Sequence, residues 1–171
     1  MAHTPNIFLV GPMGAGKTTI GRLLAEALHM DFVDSDREIE QRTGASIPWI
    51  FDVEGEAGFR KRECNVINEL TQRTNTVLAT GGGAVLSAEN RQVLQARGTV
   101  IYLSASLEQL MKRTSRDKNR PLLQTEDPQS RLKEILDLRD PLYREISDIV
   151  INTDKTDVRL SLKSIISALS E

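Results

Sequence analysis

The sequence predicts an α/β protein, a parallel sheet with helices on both faces. Short, wholly apolar bursts alternate with stretches of helical periodicity along the chain. The first burst lacks the apolar–polar alternation of a half-solvated strand, so both its faces are buried, as in a parallel sheet. A glycine-rich phosphate-binding signature also stands where a strand hands over to a helix.

The elements follow in order. Ile7-Phe8-Leu9-Val10 reads as the first strand. Ile20, Leu23, Leu24, Ala27 and Leu28 then fall on one face of a helix. Phe32-Val33 reads as a short second strand, and Ile39 with its charged neighbours as a short helix ending near Gly44. Residues 55 to 72 form a longer helix with Phe59, Val66, Ile67 and Leu70 inward. Thr76 to Thr80 is the third strand and Thr99 to Leu103 the fourth; a helix with Leu107, Leu110 and Met111 comes next. Residues 132 to 145 are helical, with Pro141 expected to kink or end the first part. Ile149-Val150-Ile151 is the fifth strand, and Val158, Leu162, Ile165, Ile166 and Leu169 line the last helix. No repeat, low-complexity run or linker interrupts this series, so residues 1–171 are expected to form one domain. Ser115 to Pro128 is too long for a tight connection, and a loop of that length is functional or disordered.

Composition excludes several classes. Apolar residues make up 39% of the 171 and charged residues 27%, an ordinary globular balance. The 22 basic and 24 acidic side chains leave a net charge of −2, so neither a nucleic acid nor a membrane surface is an expected partner. The basic side is uneven, with 15 Arg against 7 Lys; arginine is the side chain suited to bidentate grip on phosphate and carboxylate. Cys64 is the one cysteine, and His3 and His29 are the two histidines, too few for a Cys/His zinc cluster. No apolar run has membrane-spanning length, and Met1 to Asn6 lacks the pattern of a signal peptide. A cytoplasmic location is expected.

Gly11-Pro12-Met13-Gly14-Ala15-Gly16-Lys17-Thr18 matches G-x-x-x-x-G-K-[ST]. Its glycines let backbone N–H groups turn inward onto a phosphate, and the following helix aims its positive end at the same anion. Lys17 adds a point charge at the outer phosphates, and the Thr18 hydroxyl can ligate Mg²⁺. No N-K-x-D segment reads guanine, and no strand runs into the usual acid of a Walker B motif: Val77-Leu78-Ala79-Thr80 meets Gly81 instead. Acids occur earlier, at Asp34-Ser35-Asp36. With a period of two, Asp34 and Asp36 point the same way at the carboxyl end of a strand, one for a metal-bound water, the other to accept a substrate proton. The bland alternative is a helix cap at Ser35 or Asp36. Gly81-Gly82-Gly83 lets a ligand lie against bare backbone, or is a flexible turn. Arg60 and Arg139 suit an acidic small substrate, or are solvated helix arginines; Arg120 could close over a transferring phosphate.

Together with Gly55-Glu56-Ala57-Gly58-Phe59-Arg60, Arg120-Pro121-Leu122-Leu123 and Arg139-Asp140-Pro141-Leu142-Tyr143, these motifs resemble, in order and spacing, the shikimate kinase family over roughly residues 5 to 170. The resemblance implies a three-layer α/β/α P-loop kinase fold with a five-stranded parallel sheet in the order 2-3-1-4-5 and a mobile lid at 115–128. It implies transfer of phosphate from ATP, with Mg²⁺, to shikimate, by a monomer. Gly14, Ala15, Gly16, Lys17, Thr18 and Thr19 would cradle the phosphates, with Thr18 and Asp34 holding the metal. Asp36 would bind substrate hydroxyls and act as base, in a substrate-binding segment spanning about 34–62. Arg60 and Arg139 would grip the substrate carboxylate, with Gly81, Gly82 and Gly83 against the substrate. Arg113 would lie against adenine and Arg120 reach the phosphates, so that Lys17, Asp36 and Arg120 form the catalytic set. Ile47, Phe51 and Phe59 would wall the pocket, with Glu63 orienting Arg60. The turn 152–156 would touch adenine, although it matches no fixed motif. A kinase of another hydroxy acid such as gluconate, or a module that binds ATP without catalysis, are the alternatives; the presence of Lys17, Asp36 and Arg120 speaks against the last.

Overall fold

The computed structural model describes residues 5–114, 127–154 and 157–171. Five strands form one sheet: β1 (Asn6–Val10), β2 (Asp31–Asp34), β3 (Thr76–Ala79), β4 (Gly98–Ser104) and β5 (Ile149–Asn152). All four pairings are parallel and the order is β2-β3-β1-β4-β5, as the resemblance implies. Parallel neighbours need crossovers, and the helices supply them. These are α1 (Lys17–Leu28), α2 (Ser35–Thr43), α3 (Ile47–Leu70), α4 (Ala88–Arg97), α5 (Leu107–Thr114), α6 (Pro128–Ile146) and α7 (Val158–Leu169).

The period of two in β1 divides the core. Phe8 and Val10 join the cluster that holds Ile39, Phe59, Ile67 and Tyr143, while Ile7 and Leu9 join the one that holds Ile20, Leu24, Leu110 and Ile165. One apolar cluster on each face of a fully buried β1 makes the three layers. No helix among the described residues is long and apolar enough to cross a membrane.

Several elements differ from expectation. The face of α1 is rotated: Ile20, Gly21, Leu24 and Ala25 are buried, whereas Leu23 and Ala27 are exposed. Gly21 carries the closest contact, because a β carbon there would stand 2.7 Å from the Phe32 ring. Val158 in α7 is likewise exposed, at the helix start. The helix expected over 55–72 begins earlier, at Ile47, where Ser46 caps it by accepting from the Trp49 amide. It breaks at Gly55, whose φ of 76° and ψ of 174° are not helical. Helix α4 was not expected: its buried residues are only Asn90 and Leu94, too few for a readable stripe. Helix α6 runs through Pro141 without ending there. The proline lies on the exposed face, so the Asp137 carbonyl that it deprives of an amide is on the solvent side. Inward, Leu132, Ile135, Arg139, Tyr143 and Ile146 stay in register along one buried stripe.

Candidate active site

The carboxyl ends of β1, β2 and β3 open onto a cleft of about 370 Å³, on the side where open parallel sheets bind ligands. One wall is the glycine-rich loop. Gly16 takes a left-handed φ of 97° and precedes α1 with no side-chain cap. The other helices have one: the side chains of Asp34, Ser46, Ser87, Ser106, Asp127 and Asp157 accept from first-turn amides. With glycine at that position no cap side chain covers the start of α1, and Gly16, Lys17, Thr18 and Thr19 line the cleft, an anion site by backbone geometry. Lys17 Nζ donates to the carbonyls of Gly11 (2.6 Å) and Pro12 (2.9 Å), which holds its ammonium at the loop. Gly14, Gly16, Thr18 and Thr19 line the cleft, whereas Ala15 is buried beneath it.

The acids come from the end of β2, though not by strand alternation. Asp34 ends the strand, and Ser35 and Asp36 already belong to the first turn of α2. Asp34 is itself the cap: Oδ1 accepts from the amides of Asp36 (3.0 Å) and Arg37 (3.3 Å). Its Oδ2 accepts from the Thr18 hydroxyl at 2.7 Å. The cap is therefore Asp34 and neither Ser35 nor Asp36; Ser35 turns inward, fully buried, and accepts from the Gly81 amide. A carboxylate and a hydroxyl in contact beside a phosphate-binding helix are hard oxygen donors of the kind Mg²⁺ takes, so the residues present fit that ion.

The opposite wall is built on the glycine run. A β carbon on Gly81 would stand 2.6 Å from Asp36 Oδ1 and 2.9 Å from Glu63 Oε2, so only glycine lets the two carboxyls share that ground. On Gly83 it would collide with the Arg60 guanidinium. Gly82 and Gly81 line the cleft, and Arg139 Nη1 lies 3.6 Å from where a Gly82 side chain would begin. Two of the three glycines thus make room for the protein's own charged groups. Arg60 pairs with Glu63 at 2.9 Å and with Glu56 at 3.4 Å. Its guanidinium carbon is 5.1 Å from the Phe59 ring centre, and Phe59 contacts Phe51 with centroids 4.9 Å apart. Ile47 and Phe51 are half-buried against the cluster that holds Phe59, and none of the three expected wall residues lines the cleft itself.

Arg139 is 4% exposed, not a solvated helix arginine. Burial pulls its guanidinium below its ordinary value, with Arg60 adding in the same direction. Glu63 is 1% exposed, and burial pushes its carboxyl up to about 7; Arg60 opposes that shift and Asp36 adds to it. A carboxyl raised in the fold is most stabilising when protonated. Its contribution is whole below about 4.5 and is lost as pH rises through about 7. The Glu63→Gln variant should therefore gain thermal stability relative to wild type across that interval, on the order of 5 °C in melting temperature. A difference that stays constant with pH would show that Glu63 is ionised throughout.

Arg113 donates to the Gly14 carbonyl at 3.2 Å and to Thr153 Oγ1 and O at 3.1 and 2.9 Å. It joins the phosphate loop to the turn after β5, so that Arg113 and that turn, both expected at adenine, are in contact. Arg120 and residues 115–126 of the expected lid lie outside the described residues, as do 155–156 of that turn. Met13, Arg37, Glu40 and Thr80 also line the cleft and had drawn no attention in the sequence. Thr80 could have been found: it occupies the strand-end position where an acid was sought, and its hydroxyl donates to the Leu9 carbonyl instead.

With this sheet order and a phosphate loop at its carboxyl edge, the chain is a P-loop kinase. Comparison with known proteins narrows the class. A family model described as shikimate kinase matches residues 13–170. A shikimate kinase of Pasteurella multocida is 61% identical, covering 99% of this chain and 97% of its own. One from Methylococcus capsulatus is 59% identical, with 98% and 94% covered. A structure of shikimate kinase from Acinetobacter baumannii in complex with shikimate has a TM-score of 0.96 at 56% identity, over 98% of this chain and 93% of that one. The chain belongs to the shikimate kinase family.

Proposed function

We propose that this protein transfers the γ-phosphate of ATP to the 3-hydroxyl of shikimate, giving shikimate 3-phosphate and ADP, on the route to chorismate and the aromatic amino acids. One observation carries the reading: a single cleft has a phosphate loop on one wall, and on the other Asp36 packed against a glycine turn that two arginines back.

Gly14 to Thr19 receive the triphosphate, and Lys17 moves its ammonium from the loop carbonyls to the outer phosphates. Arg60 and Arg139 take the shikimate carboxylate beside Gly82, which turns the ring hydroxyls toward Asp36. Asp36 accepts the proton of the 3-hydroxyl as that oxygen bonds to the γ-phosphorus; the bond from phosphorus to the bridging oxygen breaks, and ADP leaves with the electron pair. Thr18 and Asp34 are the residues to hold Mg²⁺, which when bound neutralises charge on the phosphates. Arg113 and the turn 152–156 take the adenine. Every group comes from one chain, so a cytoplasmic monomer acting on two small molecules suffices.

Arg120 and the segment 115–128 complete the reading, the arginine on the transferring phosphoryl group and the segment excluding water. Arg120→Ala should lower kcat by roughly 10³-fold with little change in either KM; a kcat within twofold of wild type removes Arg120 from the catalytic set. ADP release with ATP, Mg²⁺ and either shikimate or gluconate tests the whole reading. Turnover with shikimate alone supports it, and turnover with gluconate alone replaces it.

A further inference from the structure

The Arg139-Asp140-Pro141-Leu142-Tyr143 motif contains a buried phenol to which the mechanism above gives no work. Tyr143 is 1% exposed and sits one helical turn after Arg139 on the inner stripe of α6. Its hydroxyl donates to the Gly82 carbonyl at 2.5 Å. A phenol has one proton to donate and lone pairs to accept with. With the proton committed to Gly82, the oxygen is left as an acceptor, and the Arg139 guanidinium stands over the same glycine, its Nη1 3.6 Å from where a Gly82 side chain would begin. Phenol and guanidinium thus meet at Gly82, in the glycine turn expected against the substrate.

The need for such a brace is visible at Arg139. Its Nε is buried and makes no hydrogen bond among the described residues. The positive charge of Arg60 also bears on it. A desolvated cation beside a like charge points into a cleft only if something on the protein side holds it there. The neighbouring ring, Tyr102, packs on Tyr143 at 4.9 Å between centroids, but its hydroxyl goes to Asp140 at 2.6 Å and touches neither group.

We infer that Tyr143 is a positioning residue for substrate specificity: its hydroxyl locks the Gly82 carbonyl and with it the backbone against which the Arg139 guanidinium lies, so that the pocket selects a carboxylate-bearing substrate. The inference rests on the proposed shikimate reaction.

The test is Tyr143→Phe, with Tyr102→Phe as a control that removes an adjacent hydroxyl. Both are assayed with shikimate and with its methyl ester, which keeps the ring hydroxyls and lacks the charge. For Tyr143→Phe the KM for shikimate should rise about tenfold, as leaving the buried Gly82 carbonyl without its donor implies. Its kcat and its KM for ATP should stay within about twofold, and the preference for free acid over ester should narrow by the same factor. Tyr102→Phe should keep the wild-type preference. An unchanged acid-over-ester preference in Tyr143→Phe overturns the inference, as does the same narrowing in both variants, which marks a general loosening of α6. Wild-type protein that ignores shikimate defeats the underlying reading instead, and is seen before either variant is made.

Discussion

Replacing Asp36 with asparagine should lower turnover by roughly 10²–10⁴-fold, the range for loss of a general base, while ATP affinity stays within about twofold. The substitution keeps the shape of the side chain and removes its basicity. Asp36 stands in the first turn of α2 beside Gly81, whereas the Lys17 ammonium is held by the Gly11 and Pro12 carbonyls of the phosphate loop. Its neighbourhood makes the variant easy to accommodate, because it removes a charge that raises the carboxyl of Glu63 across Gly81. Loss of activity with retained or increased thermal stability is therefore the expected pair of results. Turnover from single-turnover kinetics and ATP affinity from calorimetry separate the two. An equal fall in both would mean that Asp36 organises the nucleotide side and is not the base.

Arg139→Ala should raise the KM for shikimate about 10²-fold and leave the KM for ATP unchanged. Truncating one partner of a buried, hydrogen-bonded charge pair has effects of this size, and the substrate carboxylate would be that partner. Arg60 alone is a poor substitute, since it already pairs with Glu63 and Glu56. Arg139→Lys should recover little of the loss, because an ammonium presents no planar fork and reaches the cleft from a different depth. ATP binding and far-ultraviolet dichroism report whether the sheet is intact. A KM for shikimate within twofold of wild type would remove the carboxylate from Arg139.

How far such features can be read without coordinates depends on whether their physics is local. The strands were legible because burial on both faces leaves an uninterrupted apolar run, as at Ile7-Phe8-Leu9-Val10. The phosphate loop was legible because its geometry demands glycines at fixed spacing. Helix α4 was not, because a polar residue, Asn90, takes a core position by donating to the Ala84 carbonyl. Pro141 misled because its cost depends on which side of α6 faces water. Asp34 and Asp36 were correctly brought to one cleft for a mistaken reason, since a helix turn begins between them. Arg139 stood out in sequence as a partner for an acidic substrate, but only its place on the buried stripe of α6, with Tyr143 one turn on, removes the alternative of a solvated arginine. The glycine run pointed at a ligand, whereas Gly81 and Gly83 chiefly admit the protein's own Asp36, Glu63 and Arg60.

The central claim is that one cleft brings the γ-phosphate of ATP to one hydroxyl of shikimate. Its most direct test is to incubate the purified protein with ATP, Mg²⁺ and shikimate and to locate the phosphate in the product by phosphorus–proton correlation NMR. Stoichiometric ADP with the phosphate coupled to the proton on carbon 3 is the expected result. ADP formed without a phosphorylated shikimate, or a phosphate on another hydroxyl, would contradict the arrangement of Asp36, Arg60 and Arg139 proposed above.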